Sequence, residues 1–232
     1  MAKAFSSSAA VICWSCQKAA GDGILCVHCK AVQPPDPRAD YFRVFGIPTA
    51  FAVDATELEQ RYKELTKVLH PDRFARADPQ ARRASLERSV QLNEAWQVLK
   101  DPVRRAEYLL SLNGIDVGEM SGVGRPGQSG EHATLPVPQV LLMEVLELRE
   151  ALAAAHAAKD LTETEALIAK VRDRLGIVMD DVAKGFLASP PELSTIAARL
   201  VTVRYYRRFL DEARTLWEED TPVPRGRSGD AG

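Results

Sequence analysis

Apolar residues recur at helical spacing along most of this chain, whereas runs that alternate apolar and polar residues are almost absent. The clearest helical period lies between Asp54 and His70, where the apolar positions are Leu58, Tyr62, Leu65 and Leu69. This spacing places the four side chains on one face of a helix, and Asp54 or Thr56 can cap its first turn. The helix must stop at "HPD", residues 70–72, because a proline cannot continue it.

Further helices are predicted by the same criteria. One runs roughly from Pro79 to Leu99, and "DPVRRAEYLLSLNG" predicts a short helix between an aspartate cap and a glycine stop. Two long helices lie in the second half of the chain, separated by Ser-Pro-Pro at 189–191. Their apolar faces are Ile168, Val171, Leu175, Val178, Val182 and Phe186 in the first, and Leu193, Ile196, Leu200, Val203, Leu210 and Trp217 in the second. The predicted fold class is all-α.

The helix predicted from "VPQVLLMEVLELREALAAA" has two apolar strips. At about 100° per residue, an ordinary core stripe is formed by Leu141, Val145, Leu148 and Leu152. Leu142, Met143 and Leu146 fall about 100° to 200° away from Leu141, on the same side as Glu150. Either the helix packs between two neighbours and buries both strips, or the second strip is exposed for a partner.

Composition divides the chain into five segments. Residues 1–35 contain all four cysteines and end in the linker signal "QPPDP", and residues 36–116 and 136–219 carry the helical patterns. Residues 117–135 are expected to be a Gly-rich flexible connector, and residues 220–232 a disordered tail. No internal repeat is evident.

Charge and hydropathy limit the partners that the chain is expected to bind. The net charge is −2, and residues 10–33 contain only Lys18 and Lys30 as cations, too few for a nucleic-acid footprint. No apolar run approaches the roughly 20 residues that a membrane span requires, and the N-terminus is a poor secretory signal. We therefore expect a cytoplasmic protein that binds neither nucleic acid nor membrane.

The cysteines form two pairs, Cys13-x-x-Cys16 and Cys26-x-x-Cys29. Each pair can present two sulfurs from one tight turn, and two such turns complete the four-thiolate shell that structural Zn²⁺ prefers. The spacing predicts a small zinc knuckle, which has no open coordination position for catalysis. Disulfides are disfavoured in a reducing compartment, while a rubredoxin-like iron site or a redox-active pair is the alternative.

The tripeptide His70-Pro71-Asp72 suggests more than a helix stop, because a plain loop would use Gly, Asn or Ser. Asp72 offers a carboxylate, Pro71 stiffens its presentation and His70 can donate hydrogen bonds. Its position between a charged helix and one containing "NEAWQVLKDP" resembles the J-domain of Hsp70 co-chaperones, and the resemblance implies stimulation of a partner's ATPase. Candidate cations for an acidic face of that partner are Arg61, Lys63 and Lys67. A solvated helix face is the alternative interpretation of these three.

A wider likeness covers residues from about Asp40 to Trp217. "DYFRVFGIP", "HPDRF", "LLMEVLELREAL" and "RYYRRFLDE" resemble the HscB (Jac-type) co-chaperones of iron–sulfur cluster assembly, and "CWSC…CVHCKAVQPPD" resembles the tetracysteine extension of some members. The resemblance implies that a C-terminal three-helix domain binds an IscU-type scaffold protein. The implied contact residues are Leu142, Met143, Leu146, Glu147, Glu150 and Tyr205. A further acidic position of the family is occupied here by Ala154.

The expected architecture is therefore a J-domain helical hairpin plus a C-terminal three-helix bundle, preceded by a tetracysteine zinc knuckle. The expected function is that of a co-chaperone that binds the scaffold, stimulates an HscA-type Hsp70 and so promotes cluster transfer. The alternative is a general J-domain co-chaperone for unfolded clients. We do not expect an enzyme, because no pattern indicates a Ser or Cys nucleophile or a phosphate-binding glycine loop.

Overall fold

The fold is described from a computed structural model, which describes residues 11–21, 23–117 and 137–220. Of the predicted connector, only Val117 belongs to the described residues, and of the predicted tail only Asp220, which ends the last helix. Within the described residues the extended structure is limited to two isolated bridges, Ile12 with Ala19 and Leu25 with Val32. The predicted all-α class is confirmed.

Seven α-helices and one 3₁₀ turn account for the regular structure of the described residues. They are α1 (Tyr41–Phe45), α2 (Ala55–Leu69), the 3₁₀ turn (Pro71–Phe74), α3 (Pro79–Leu99), α4 (Pro102–Leu112), α5 (Gln139–Ala158), α6 (Leu161–Leu187) and α7 (Leu193–Asp220). The chain folds as two compact units, Met1–Arg105 and Ala106–Gly232, so that the division between them lies inside α4.

In the first unit, α1 and α2 both pack against α3. Asp54 caps α2 by accepting hydrogen bonds from the backbone N–H groups of Thr56 and Glu57, at 2.8 and 3.0 Å. The α2–α3 pair is joined at its exposed edge by Tyr62 and Trp96, whose rings stack with centroids 4.6 Å apart. The largest side chains with almost no exposure on these three helices are Phe42, Leu58, Leu69, Leu92 and Leu99.

In the second unit, α5, α6 and α7 form the predicted three-helix bundle around one apolar core. Asp160 caps α6 by accepting from the N–H of Glu163 at 3.0 Å. Gly185 lets α6 approach α7 closely, because a Cβ at this position would lie 2.7 Å from Cγ1 of Ile196. None of the described helices combines the length and the apolar character that a bilayer span requires.

The core face of α7 differs in part from the one that its spacing predicts. Ile196, Leu200 and Val203 are buried as expected. Farther along, the buried residues are Tyr206, Phe209 and Ala213, while Leu210 and Trp217 are only half-buried. The predicted face assumed one straight stripe, whereas α7 packs against both α5 and α6 and therefore buries a wider arc.

Candidate functional sites

The four cysteines converge at the N-terminal end of the first unit. Cys13 and Cys26 are buried, Cys16 is half-buried and Cys29 is exposed, and the four Sγ atoms all lie within 4.8 Å of one another. The Sγ atoms of Cys13 and Cys29 are 3.6 Å apart and those of Cys16 and Cys26 are 3.7 Å apart. A disulfide requires about 2.05 Å, so these pairs are not bonded. A tetrahedral shell with Zn–S distances of about 2.3 Å has edges of about 3.8 Å, which the observed separations fit.

The two knuckles have the same backbone geometry. In each, the N–H two residues after the first cysteine donates to its Sγ at 3.4 Å. In each, the residue after the second cysteine, Gln17 or Lys30, has a left-handed backbone and donates its N–H to the carbonyl of the first cysteine at 3.0 Å. This likeness follows from the Cys-x-x-Cys spacing, because the two turns share only their cysteines.

The donor set favours a cation at the centre of the cluster. At Cys13, burial raises the thiol pKa. The hydrogen bonds from the N–H groups of Cys16 and Ser15 and from the neighbouring sulfurs lower it by a larger amount, so that the net pKa is about 6. At Cys16, the N–H of Lys18 favours the thiolate, but burial and the three other sulfurs raise the pKa to about 11. Four adjacent thiols cannot all ionise unaided, and a divalent metal supplies the positive charge that allows it.

The His-Pro-Asp loop projects from the α2–α3 hairpin. The side chain of Asp72 is 90% exposed and that of His70 is 53% exposed. His70 caps the 3₁₀ turn by accepting the N–H of Asp72 on Nδ1 at 3.3 Å, while Pro71 opens the turn. The loop is held from below at Leu69, the last residue of α2, whose carbonyl accepts the hydroxyls of two serines of α3.

The three candidate cations of α2 lie in different environments. Arg61 donates to the carbonyls of Phe45 and Gly46 at 2.7 and 3.1 Å and to Glu57 at 2.6 Å, so it fastens α2 to the end of α1. Lys63 is exposed and pairs with Glu59 at 2.6 Å. Lys67 is exposed, near the end of the helix that leads into the tripeptide.

On α5 the two apolar strips have different surroundings. The core stripe is buried: Leu141, Val145, Leu148 and Leu152 are between 0 and 6% exposed. The second strip faces solvent, with Leu142 at 44%, Met143 at 53% and Leu146 at 51% exposed. Glu147 and Glu150 lie exposed beside it. Of the two arrangements that the helical projection allowed, the structure has the exposed one.

Tyr205 is half-buried, packed against the edge of the bundle core. Its neighbour Tyr206 is buried and donates its hydroxyl to Oε1 of Glu144 on α5 at 2.8 Å. The same oxygen pairs with Arg174 on α6, so one carboxylate joins all three helices. Sequence reasoning missed this cluster, because Glu144 lies only about 60° from Leu141 on the projection and carries no motif.

Comparison with known proteins agrees with these features. Residues 40–108 match the DnaJ domain, and residues 137–214 match the HSCB C-terminal oligomerisation domain. The iron–sulfur cluster co-chaperone protein HscB of Mus musculus is 34% identical over 169 residues, which cover 71% of this chain and 67% of the relative. An HscB homolog of Arabidopsis thaliana is 30% identical over 210 residues, which cover 90% of this chain and 76% of the relative.

Solved structures give the same result for the fold. The chaperone HscB from Vibrio cholerae superposes with a TM-score of 0.66 at 29% identity, covering 79% of this chain and all of the neighbour (100%). The human co-chaperone protein HscB superposes with a TM-score of 0.74 at 26% identity, covering 88% of this chain and 96% of the neighbour. With a J-domain match, a C-terminal domain match and relatives of this name across most of its length, the chain belongs to the HscB family of J-domain co-chaperones of iron–sulfur cluster assembly.

Proposed function

We propose that this protein is a two-site adaptor that brings an IscU-type scaffold to an HscA-type Hsp70. The His70-Pro71-Asp72 loop stimulates the Hsp70 ATPase, with Arg61, Lys63 and Lys67 facing the partner. The exposed strip of α5 holds the scaffold. ATP hydrolysis then traps the scaffold on the chaperone and favours transfer of its cluster to an acceptor.

The observation that carries the scaffold half is the exposure of Leu142, Met143 and Leu146. Three large apolar side chains side by side on one helix face form a patch of the kind that marks a protein–protein interaction site. Glu147 and Glu150 border the patch and give it a polar, acidic rim, to which cations of a partner can bind. Tyr205 contributes an aromatic side chain from α7.

The anchoring of the loop supports the Hsp70 half. A carboxylate that is 90% exposed makes no contribution to packing, yet the turn that presents it is capped by His70 and tied to α3 through Leu69. Such preorganisation reduces the conformational entropy lost when a partner binds. Of the three cations, Lys67 is best placed beside the loop, while Arg61 also holds α1 and α2 together.

Two binding modules on one chain raise the effective concentration of scaffold near the ATPase without any new contact. This linkage distinguishes the adaptor from a J-protein for unfolded clients, which would accept varied apolar peptides on the same strip. Calorimetric titration of the full chain with an IscU-type scaffold tests the proposal. We expect saturable one-to-one binding that a denatured polypeptide does not displace. Absence of heat, or equal competition by the denatured polypeptide, would reject the scaffold assignment.

For the cysteine cluster we propose Zn²⁺, held by Cys13, Cys16, Cys26 and Cys29 as a closed structural site. The sulfur separations and the four-thiolate donor set support it. We further propose a cytoplasmic location, since a reducing compartment keeps the four thiols available. Metal analysis with an absorbance spectrum separates one colourless zinc per chain from a coloured iron site.

A further inference from the structure

The knuckle is docked on the J-domain by one arginine of α3. Arg88 donates its Nε to the carbonyl of Gln33 at 2.9 Å and its Nη2 to the carbonyl of Pro34, also at 2.9 Å. Burial lowers the pKa of the Arg88 guanidinium, partly opposed by the charge of Asp36. A partly desolvated guanidinium that donates to two backbone carbonyls makes strong, directional contacts. Arg88 therefore fixes the segment that leaves the second knuckle.

The residue that Arg88 holds also touches the cysteine cluster. Gln33 is 3% exposed, and its Nε2 donates to Sγ of Cys13 at 3.3 Å and to the carbonyl of Ala31 at 2.8 Å. Its Oε1 is buried and has no hydrogen-bond partner among the described residues. Because burial of an unpaired oxygen costs free energy, the two hydrogen bonds donated by Nε2 are what hold the amide in this position. The donation to the sulfur gains strength when that sulfur is a metal-bound thiolate.

The other side of Arg88 leads to the tripeptide. Ser85, about one turn before Arg88 on α3, and Ser89, the residue directly after it, donate their hydroxyls to the carbonyl of Leu69 at 2.7 and 3.1 Å. Leu69 is the last residue of α2 and precedes His70 directly. The Cys13 sulfur is therefore connected with the base of the His-Pro-Asp loop through Gln33, Arg88, the backbone of α3, and the hydroxyls of Ser85 and Ser89.

We propose that Gln33 and Arg88 are positioning residues that couple metal binding at the four-cysteine cluster to the order of the His-Pro-Asp loop. The inference rests on the zinc site proposed above. Within the described residues, the cluster of buried side chains around the cysteines comprises Cys13, Ala20 and Cys26, which is too small to hold the fold of the knuckle alone. Without the metal, the carbonyls of Gln33 and Pro34 lose their fixed positions, and α3 loses its attachment to the N-terminal segment.

The test compares the full chain with and without metal, under reducing conditions, for wild type and two variants. Arg88→Met removes both carbonyl contacts and keeps an unbranched side chain of comparable reach. Arg83→Met is the matched control, because Arg83 lies on the same helix, is 81% exposed and pairs with Glu87. The readouts are the melting temperature and the amide hydrogen exchange of the peptide around Leu69, with Zn²⁺ added or removed by chelation.

In wild type and in Arg83→Met, removal of Zn²⁺ should lower the melting temperature of this unit by about 4–8 °C, the shift expected for a domain of this size when one strong contact is lost. Exchange at Leu69 and His70 should rise about tenfold. In Arg88→Met both effects of Zn²⁺ should fall by at least half. If Arg88→Met does not fold, Arg88→Lys, which keeps the charge but only one carbonyl contact, should show an intermediate effect.

An equal response to Zn²⁺ in wild type and in the folded Arg88 variant would overturn the coupling. So would a wild type that binds one Zn²⁺ per chain but shows no change at Leu69 on its removal. If metal analysis instead finds no Zn²⁺ on the wild type, the zinc site itself fails and the coupling fails with it. The two failures are thus distinguished within one sample.

Discussion

Alanine substitutions in the exposed strip of α5 should weaken scaffold binding without changing the stability of the fold. Replacing Leu142, Met143 and Leu146 together by alanine removes apolar surface from α5 without reaching the core stripe. These side chains are 44%, 53% and 51% exposed, so each keeps about half of its surface available to a partner. Surface substitutions of this kind change the free energy of unfolding by about 0.5 kcal/mol or less each, and alanine favours the helix.

The expected loss of affinity is much larger. Full burial of a leucine or methionine side chain stabilises by about 1.5–3 kcal/mol, so burial of the remaining half against the scaffold contributes about 1 kcal/mol per residue. Three residues give about 3 kcal/mol, which corresponds to a roughly hundredfold increase in Kd. By comparison, Leu152→Ala in the core, where the side chain is 0% exposed, should cost about 2–5 kcal/mol of stability.

Calorimetric titration with an IscU-type scaffold and thermal unfolding of the same samples measure both quantities. Leu187→Ala is the matched surface control, because Leu187 is 78% exposed and lies at the end of α6 rather than on α5. It should bind like wild type. The reasoning is refuted if the triple variant binds within about twofold of wild type. It is equally refuted if the triple variant loses as much stability as Leu152→Ala.

Two further predictions concern the loop and the bundle. Asp72→Asn should abolish stimulation of Hsp70 phosphate release and leave both the melting temperature and scaffold binding unchanged, because the carboxylate is 90% exposed; retained stimulation would contradict the J-domain assignment. At Tyr206, burial and then the hydrogen bond to Glu144 raise the pKa from 10.0 to about 12. The folded state therefore holds this proton more tightly than the unfolded state, so the stabilisation is complete below pH 10 and is lost as the pH rises towards 12. Tyr206→Phe should remove both that alkaline decline in stability and the latest step of the tyrosinate absorbance titration.

Sequence periodicity predicted the parts of the fold that depend on one helix at a time. The two strips of α5 follow from the angle between successive residues, and the structure buries Leu148 and exposes Leu146 accordingly. The cysteine spacing likewise predicted that the four sulfurs lie close together, because each Cys-x-x-Cys pair forms its own turn. Both features depend on residues that are close in sequence, and such local geometry can be predicted from a single sequence.

Hydrogen bonds from arginine side chains to backbone carbonyls could not be predicted from the sequence, because every residue has a carbonyl that can accept them. Arg61 looked like a cation for a partner, yet it donates to the carbonyls of Phe45 and Gly46. Arg88 had no motif and reaches a segment more than fifty positions earlier in the chain. The buried run ending in Ala213 on α7 was also missed, since a helix between two neighbours buries more than one stripe.

The matched geometry of the two cysteine turns has a consequence for how the site responds to oxidation. In the proposed zinc site, each turn supplies two of the four sulfur ligands, and two ligands alone leave an ion open to water and to competing thiols. Loading is therefore expected to require both turns, and oxidation of the two cysteines of one turn to a disulfide would leave only two ligands and release the ion. Recovery would then need reduction of that disulfide before the ion could return.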